Sequence, residues 1–145
     1  MRARGRITLV AALASVACLV PLAQSATAGP VASAPPAEKT LPWQASQGDA
    51  TAAGTRTLKS IPWFQTITVQ GEFKNTGSGC STLWFQWGDQ TGAIIEKSAS
   101  LCGPGSTPVN AEKSVPVQGS SYVYVCKGTE DMKDCGTRFM ISAWS

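Results

Sequence analysis

The sequence predicts an all-β protein: a small antiparallel β-sandwich or barrel of about six strands, two disulfides, and an extended N-terminal arm. Three observations carry this expectation. The stretch Ser121–Ser145 holds two alternating runs, Tyr122–Cys126 and Phe139–Ala143, separated by the charged segment Lys127–Asp134 and bracketed by Cys126 and Cys135. Period-two alternation marks a half-buried strand, so the stretch reads as a hairpin closed at its mouth by a disulfide. Upstream, similar runs recur between turn-forming residues, with no convincing amphipathic helix. Past the leader the cysteines number four, Cys80, Cys102, Cys126 and Cys135, an even set in a short chain.

Residues 1–28 have the features of a secretory signal. Arg2, Arg4 and Arg6 precede the apolar run Ile7–Ala23, and Ala26-Thr27-Ala28 supplies an A-x-A cleavage site. A membrane anchor is the rival, but the run is short of a span of roughly 20 residues and Pro21 and Gln24 interrupt its end. Cys18 lies inside this apolar run and would leave with it. Cleavage predicts a secreted, extracellular product with no membrane partner. It also removes three of the 12 basic residues, leaving nine against nine acidic ones. A net charge of zero with no basic cluster argues against nucleic acid as a partner.

Residues 29–60 read as an extended or disordered arm. Gly29–Thr57 is dominated by Ala, Thr, Ser, Gly, Gln and Pro, with little to bury against its ordering entropy. Thr40-Leu41-Pro42-Trp43 reappears in outline as Ser60-Ile61-Pro62-Trp63. The second copy adjoins a strand and is expected to tuck into the domain. The first has no local core for its indole, so Leu41-Pro42-Trp43 is the candidate docking anchor, tryptophan being enriched at interface hot spots.

The domain proper is expected over 61–145. Ile67, Val69, Gly71 and Phe73 share one face of a first strand. Cys80–Trp87 forms a second, with Ser81, Leu83, Phe85 and Trp87 on one face and Cys80, Thr82, Trp84 and Gln86 on the other. Gly88–Gly92 is a hairpin loop leading into a third strand, Ala93–Leu101. Cys102–Pro108, with three Gly or Pro breakers before its final Pro108, is not expected to be regular. A fourth strand near Lys113–Gln118 contains Pro116, which suits an edge. The closing hairpin adds strands five and six. The favoured disulfides are Cys80–Cys102 with Cys126–Cys135; Cys80–Cys126 with Cys102–Cys135 is the main alternative, and a zinc site lacks the close Cys pair it usually shows.

Chemistry is sparse. The sequence contains no histidine, which removes Ser–His–Asp and Cys–His machinery and every His-ligated metal motif. The acidic residues show no spacing that selects a catalytic pair, and Glu130, Asp131 and Asp134 lack the glycine and spacing of an EF-hand. No catalytic residue, metal site or cofactor is expected. Aromatic side chains are the remaining handle. Trp84, opposite Leu83, Phe85 and Trp87, is the one expected outside the core, where it would meet a protein partner or stack on a glycan.

An arm bearing Leu41-Pro42-Trp43 followed by a cysteine-stapled β-domain resembles the adaptor, or spoke, subunit of bacterial umbrella toxin particles. There a small secreted adaptor joins a ring-shaped, repeat-bearing toxin subunit to a lectin of trypsin-like fold. The resemblance implies that the arm around Trp43 meets the lectin and the β-domain meets the ring. Arg56-Thr57 and Lys59-Ser60 look like trypsin-type recognition sites and make Arg56 and Lys59 further candidate partner contacts. Two other classes compete: a carbohydrate- or cell-wall-binding domain, and a protease inhibitor presenting Cys102–Pro108, which lacks a basic or large apolar residue for that purpose.

Overall fold

Sheet formation begins earlier in the chain than its composition predicts. The computed structural model describes residues 37–89 and 92–145; the expected leader, 1–28, and the first part of the expected arm, 29–36, lie outside the described residues. Within the rest of the arm, β1 (Ala37–Gln47) and β2 (Ala50–Ser60) form a hairpin of two 11-residue strands. Gly48, at φ +56°, opens the two-residue turn Gly48-Asp49, where glycine at the first position suits the right-handed twist of the flanking strands. The expectation of a separate arm is therefore corrected for 37–60: these residues are half of a core sheet.

Six further strands follow: β3 (Phe64–Asn75), β4 (Cys80–Asp89), β5 (Gly92–Cys102), β6 (Gly105–Pro116), β7 (Tyr122–Lys127) and β8 (Phe139–Met140). They build two four-stranded antiparallel sheets, β1-β2-β3-β6 and β5-β4-β7-β8. The all-β expectation holds, with eight strands among the described residues in place of about six. β1 lies against β7 and β8, and β6 against β4 and β5, so the sheets face each other as a sandwich. The faces expected to be apolar are the buried ones: Ile67, Val69 and Phe73 of the first sheet meet Leu83, Phe85 and Trp87 of the second. Full burial of side chains of this size contributes roughly 1.5–3 kcal/mol each.

Proline placement follows sheet position. Pro42 lies in β1, and Pro108 and Pro116 lie in β6, the two edges of the first sheet, where a missing N–H costs no ladder bond. Pro116 is thus at an edge as expected. The irregular stretch expected over Cys102–Pro108 shrinks to the turn, because β6 is already paired with β3 from Gly105. The closing hairpin pairs only Tyr122 with Met140 and Val123 with Phe139, so its second strand is shorter than the alternation predicts. Ile141 still donates its N–H to the Ser121 carbonyl, which keeps the C-terminal segment on the sheet.

Both disulfides are the sequence-local ones. Cys80–Cys102 joins β4 to β5, and Cys126–Cys135 closes the loop after β7. Two disulfides in a domain of this size fit an oxidising, extracellular compartment.

Candidate functional site

The two Pro-Trp sequences occupy opposite environments, and the assignment expected from composition is reversed. In β1, Leu41, Trp43 and Ala45 point inward. Cross-strand pairing sets Trp43 beside Gly54 of β2, and Gly54 beside Gly71 of β3. This row carries no side chains, so the indole has room along the inner face and its Nε1–H donates to the Gln70 carbonyl at 3.0 Å. Trp43 is 2% exposed. Strand approach is so close here that a Cβ on Gly54 would sit 2.0 Å from the Gln70 carbonyl oxygen. Trp43 is a core residue and offers no surface to a partner.

Trp63 has the opposite fate. Ile61 and Phe64 exchange backbone hydrogen bonds at 2.9 and 3.2 Å, leaving Pro62-Trp63 as a two-residue loop between β2 and β3. Proline fixes its own φ, and the Val117 N–H holds the Trp63 carbonyl at 3.2 Å, so the loop is tied at both sides. The indole is 81% exposed. Ile61, Phe64, Ile94 and Val117 are exposed large apolar residues as well. Phe64, Ile94 and Pro116 line a shallow cleft with Trp87 and Lys113 at the same end of the sandwich. Five exposed apolar side chains gathered at one end exceed the single scattered residues expected of a bare surface.

The cleft has an ordered polar border. Glu96 accepts a hydrogen bond from Trp87 Nε1 at 2.8 Å and pairs with the Lys113 ammonium at 2.5 Å, linking β5 to β6. The Lys113 hydrogen bond holds the Glu96 carboxyl below its ordinary range; partial burial opposes this, and the bond from Trp87 assists it.

The other expected partner contacts are dispersed. Leu41 is half-buried against the core, while Pro42 and Lys59 are exposed on the outer face of the first sheet. Arg56 is 2% exposed and points inward from β2; it donates to the carbonyls of Met140, Ala143 and Ser145, and its guanidinium lies 5.1 Å from the Phe139 ring centroid. Burial pulls its pKa down from the ordinary arginine value. Arg56 therefore clamps the C-terminal segment. The trypsin-type reading of Arg56-Thr57 fails because the pair lies within a strand hydrogen-bonded on both sides. Trp84 does project from the outer face of the second sheet, but its neighbours leave it only 9% exposed, which corrects the expectation of an open indole.

The acidic residues after β7 are engaged locally: Asp131 pairs with Lys133 at 2.6 Å, and Asp134 with Lys127 at 2.9 Å. Among the described residues, no group of three His, Cys, Asp or Glu side chains is placed to hold a metal ion. Comparison with known proteins brings no family to the site. No family model, curated protein or solved structure matches the chain. The Trp63 end was missed in the sequence because its adjacency to a strand suggested a side chain tucked into the domain. Ile61 through Phe64, an aliphatic-Pro-Trp-Phe run directly before a clear strand, was its available signal.

Proposed function

We propose that this chain is a secreted, non-catalytic interaction module that docks a protein partner through the loop end carrying Trp63. The supporting observation is the 81% exposure of Trp63 on a loop fixed by three backbone hydrogen bonds. A pre-ordered indole loses little freedom on binding and buries a large apolar area, which is the profile of an interface hot spot. Its neighbours Ile61, Phe64, Ile94 and Val117 are apolar. Such a surface suits an apolar protein pocket better than a saccharide, whose hydroxyls need hydrogen-bonding partners.

The resemblance to umbrella-particle adaptors names the partners to look for: a repeat-bearing ring subunit and a trypsin-fold lectin. Trp43 and Arg56 belong to the core, so the contact made by this region passes to Trp63. The test is recovery of tagged protein from native culture supernatant, with bound proteins identified by mass spectrometry, for wild type and Trp63→Ala. Loss of a hot-spot indole costs about 2 kcal/mol or more, or about 30-fold in affinity. A secreted protein retained by wild type and lost from Trp63→Ala supports the reading. Equal retention by both, recovery of wild type with no bound protein, or binding of wild type to lipid vesicles instead would overturn it.

A further inference from the structure

The outer faces of the two sheets differ in kind. On the first sheet, polar side chains satisfy each other: Thr40 with Thr57 at 3.1 Å, Thr66 with Ser114 at 3.0 Å, and Thr68 with Glu112 at 2.9 Å. The second sheet carries Trp84, Tyr122 and Tyr124 on its outer face. Register sets Lys97, Trp84 and Tyr124 in one row and Ile95, Gln86 and Tyr122 in the next. None of the three aromatics belongs to the buried cluster between the sheets.

Two features of this face leave binding capacity unused. The Trp84 indole, nine-tenths buried, has no acceptor for its Nε1–H. Buried polar groups are almost always paired, so an orphan N–H on an aromatic face points to a partner that completes it. Gln86 accepts from the Tyr124 hydroxyl at 2.6 Å, and its own amide N–H groups donate to no protein acceptor among the described residues. The face is also flanked by cations held against its rings. The Arg138 guanidinium lies 4.7 Å from the Tyr122 centroid, and the Lys97 ammonium 5.6 Å from the Trp84 centroid. Glu130 reaches Lys97 only at 4.0 Å, and Arg138 has no carboxylate partner among the described residues.

We infer that the outer face of the second sheet binds a saccharide bearing a carboxylate, such as a uronic acid residue. A sugar ring presents C–H groups that are attracted to the negative face of Tyr124, while Arg138 covers the ring of Tyr122. Its hydroxyls accept from the Gln86 amide. Its carboxylate takes the planar fork of Arg138, which is pre-oriented by stacking and suited to paired N–H···O bonds. Lys97 is exposed, and its ammonium beside the Trp84 ring offers an anionic ligand a second positive contact. A neutral sugar lacks the group that engages Arg138. Among the described residues, Lys97 and Arg138 are the cations held against these rings, too few for a polyanion such as nucleic acid. This inference is independent of the docking role of Trp63.

The test is an NMR titration of the full mature chain, following the Trp84 indole N–H signal on addition of tetragalacturonate, with its methyl ester as the uncharged control. A saturable Trp84 shift is expected, since a site of millimolar affinity is about nine-tenths filled at about 10 mM ligand. The ester, and the exposed substitution Arg138→Gln, should each weaken binding by about fivefold or more, while Trp63→Ala leaves it unchanged. Absence of a saturable shift, or equal binding of acid and ester, would overturn the inference. Unweakened binding by Arg138→Gln would do the same.

Discussion

Replacing the two similar tryptophans with alanine should have opposite consequences. Trp43 is 2% exposed, lies along the Gly54–Gly71 row and donates a hydrogen bond to Gln70. Large-to-small substitution of a buried aromatic costs about 3–5 kcal/mol, and the lost hydrogen bond adds about 0.5–1.5 kcal/mol. The sum is about 3.5–6.5 kcal/mol, a large share of the roughly 5–15 kcal/mol that holds an ordinary domain together. With a urea slope of about 1.5 kcal/mol/M, the midpoint of Trp43→Ala should fall by about 3 M. Trp63→Ala, at an exposed loop tip, should stay within about 0.5 kcal/mol of wild type. Should Trp43→Ala not fold, Trp43→Phe keeps most of the packing and should lower the midpoint by about 1 M. Comparable losses for Trp63→Ala and Trp43→Ala, or a Trp43→Ala shift under about 0.5 M, would refute the exchange of roles argued from burial.

Other outcomes follow from individual contacts. Gly54→Ala places a methyl group 2.0 Å from the Gln70 carbonyl, so the strands must part; a loss of about 1–3 kcal/mol in urea denaturation is expected, and a neutral result would contradict the close approach. Glu96 has a lowered pKa in the folded state, so its contribution is present above the ordinary glutamate value of 4.5 and is lost as pH falls through the folded value. Its side chain is 44% exposed, so Glu96→Gln should cost no more than about 1 kcal/mol at neutral pH, and the penalty should fade on acidification below that ordinary value. The disulfides span 22 and 9 residues, which the loop-entropy relation converts to about 3.4 and about 2.6 kcal/mol. Replacing Cys80 and Cys102 with alanine should therefore lower the melting temperature more than replacing Cys126 and Cys135; the reverse order would contradict that relation.

β3 and β4 were legible because their inner positions are large and apolar, as in Ile67, Val69, Phe73, Leu83 and Phe85. The first half of β6, from Gly105 to Glu112, was hidden by Pro108 and by small or polar residues. The β1–β2 hairpin was hidden too, because its inner positions in β2 are Ala50, Ala52, Gly54, Arg56 and Leu58. Small residues there read as an absence of core, when their role is to admit the indole of Trp43 from the neighbouring strand. The pair Gly48-Asp49, a two-residue hairpin turn, was the local signal available. Trp84 was correctly placed on the outer face by alternation, but alternation alone cannot register its cover by neighbours such as Tyr124 and Lys97. Trp63 was misread for a related reason: adjacency to a strand says nothing about whether a loop side chain turns in or out.

The docking claim is tested most directly by placing a photoreactive benzoylphenylalanine at position 63 and, separately, at position 44 on the exposed face of β1, then irradiating each protein in native culture supernatant. A defined adduct with a secreted protein is expected from position 63 and none from position 44. An adduct from position 44 alone would put the interface back on the first strand and contradict the role given to Trp63.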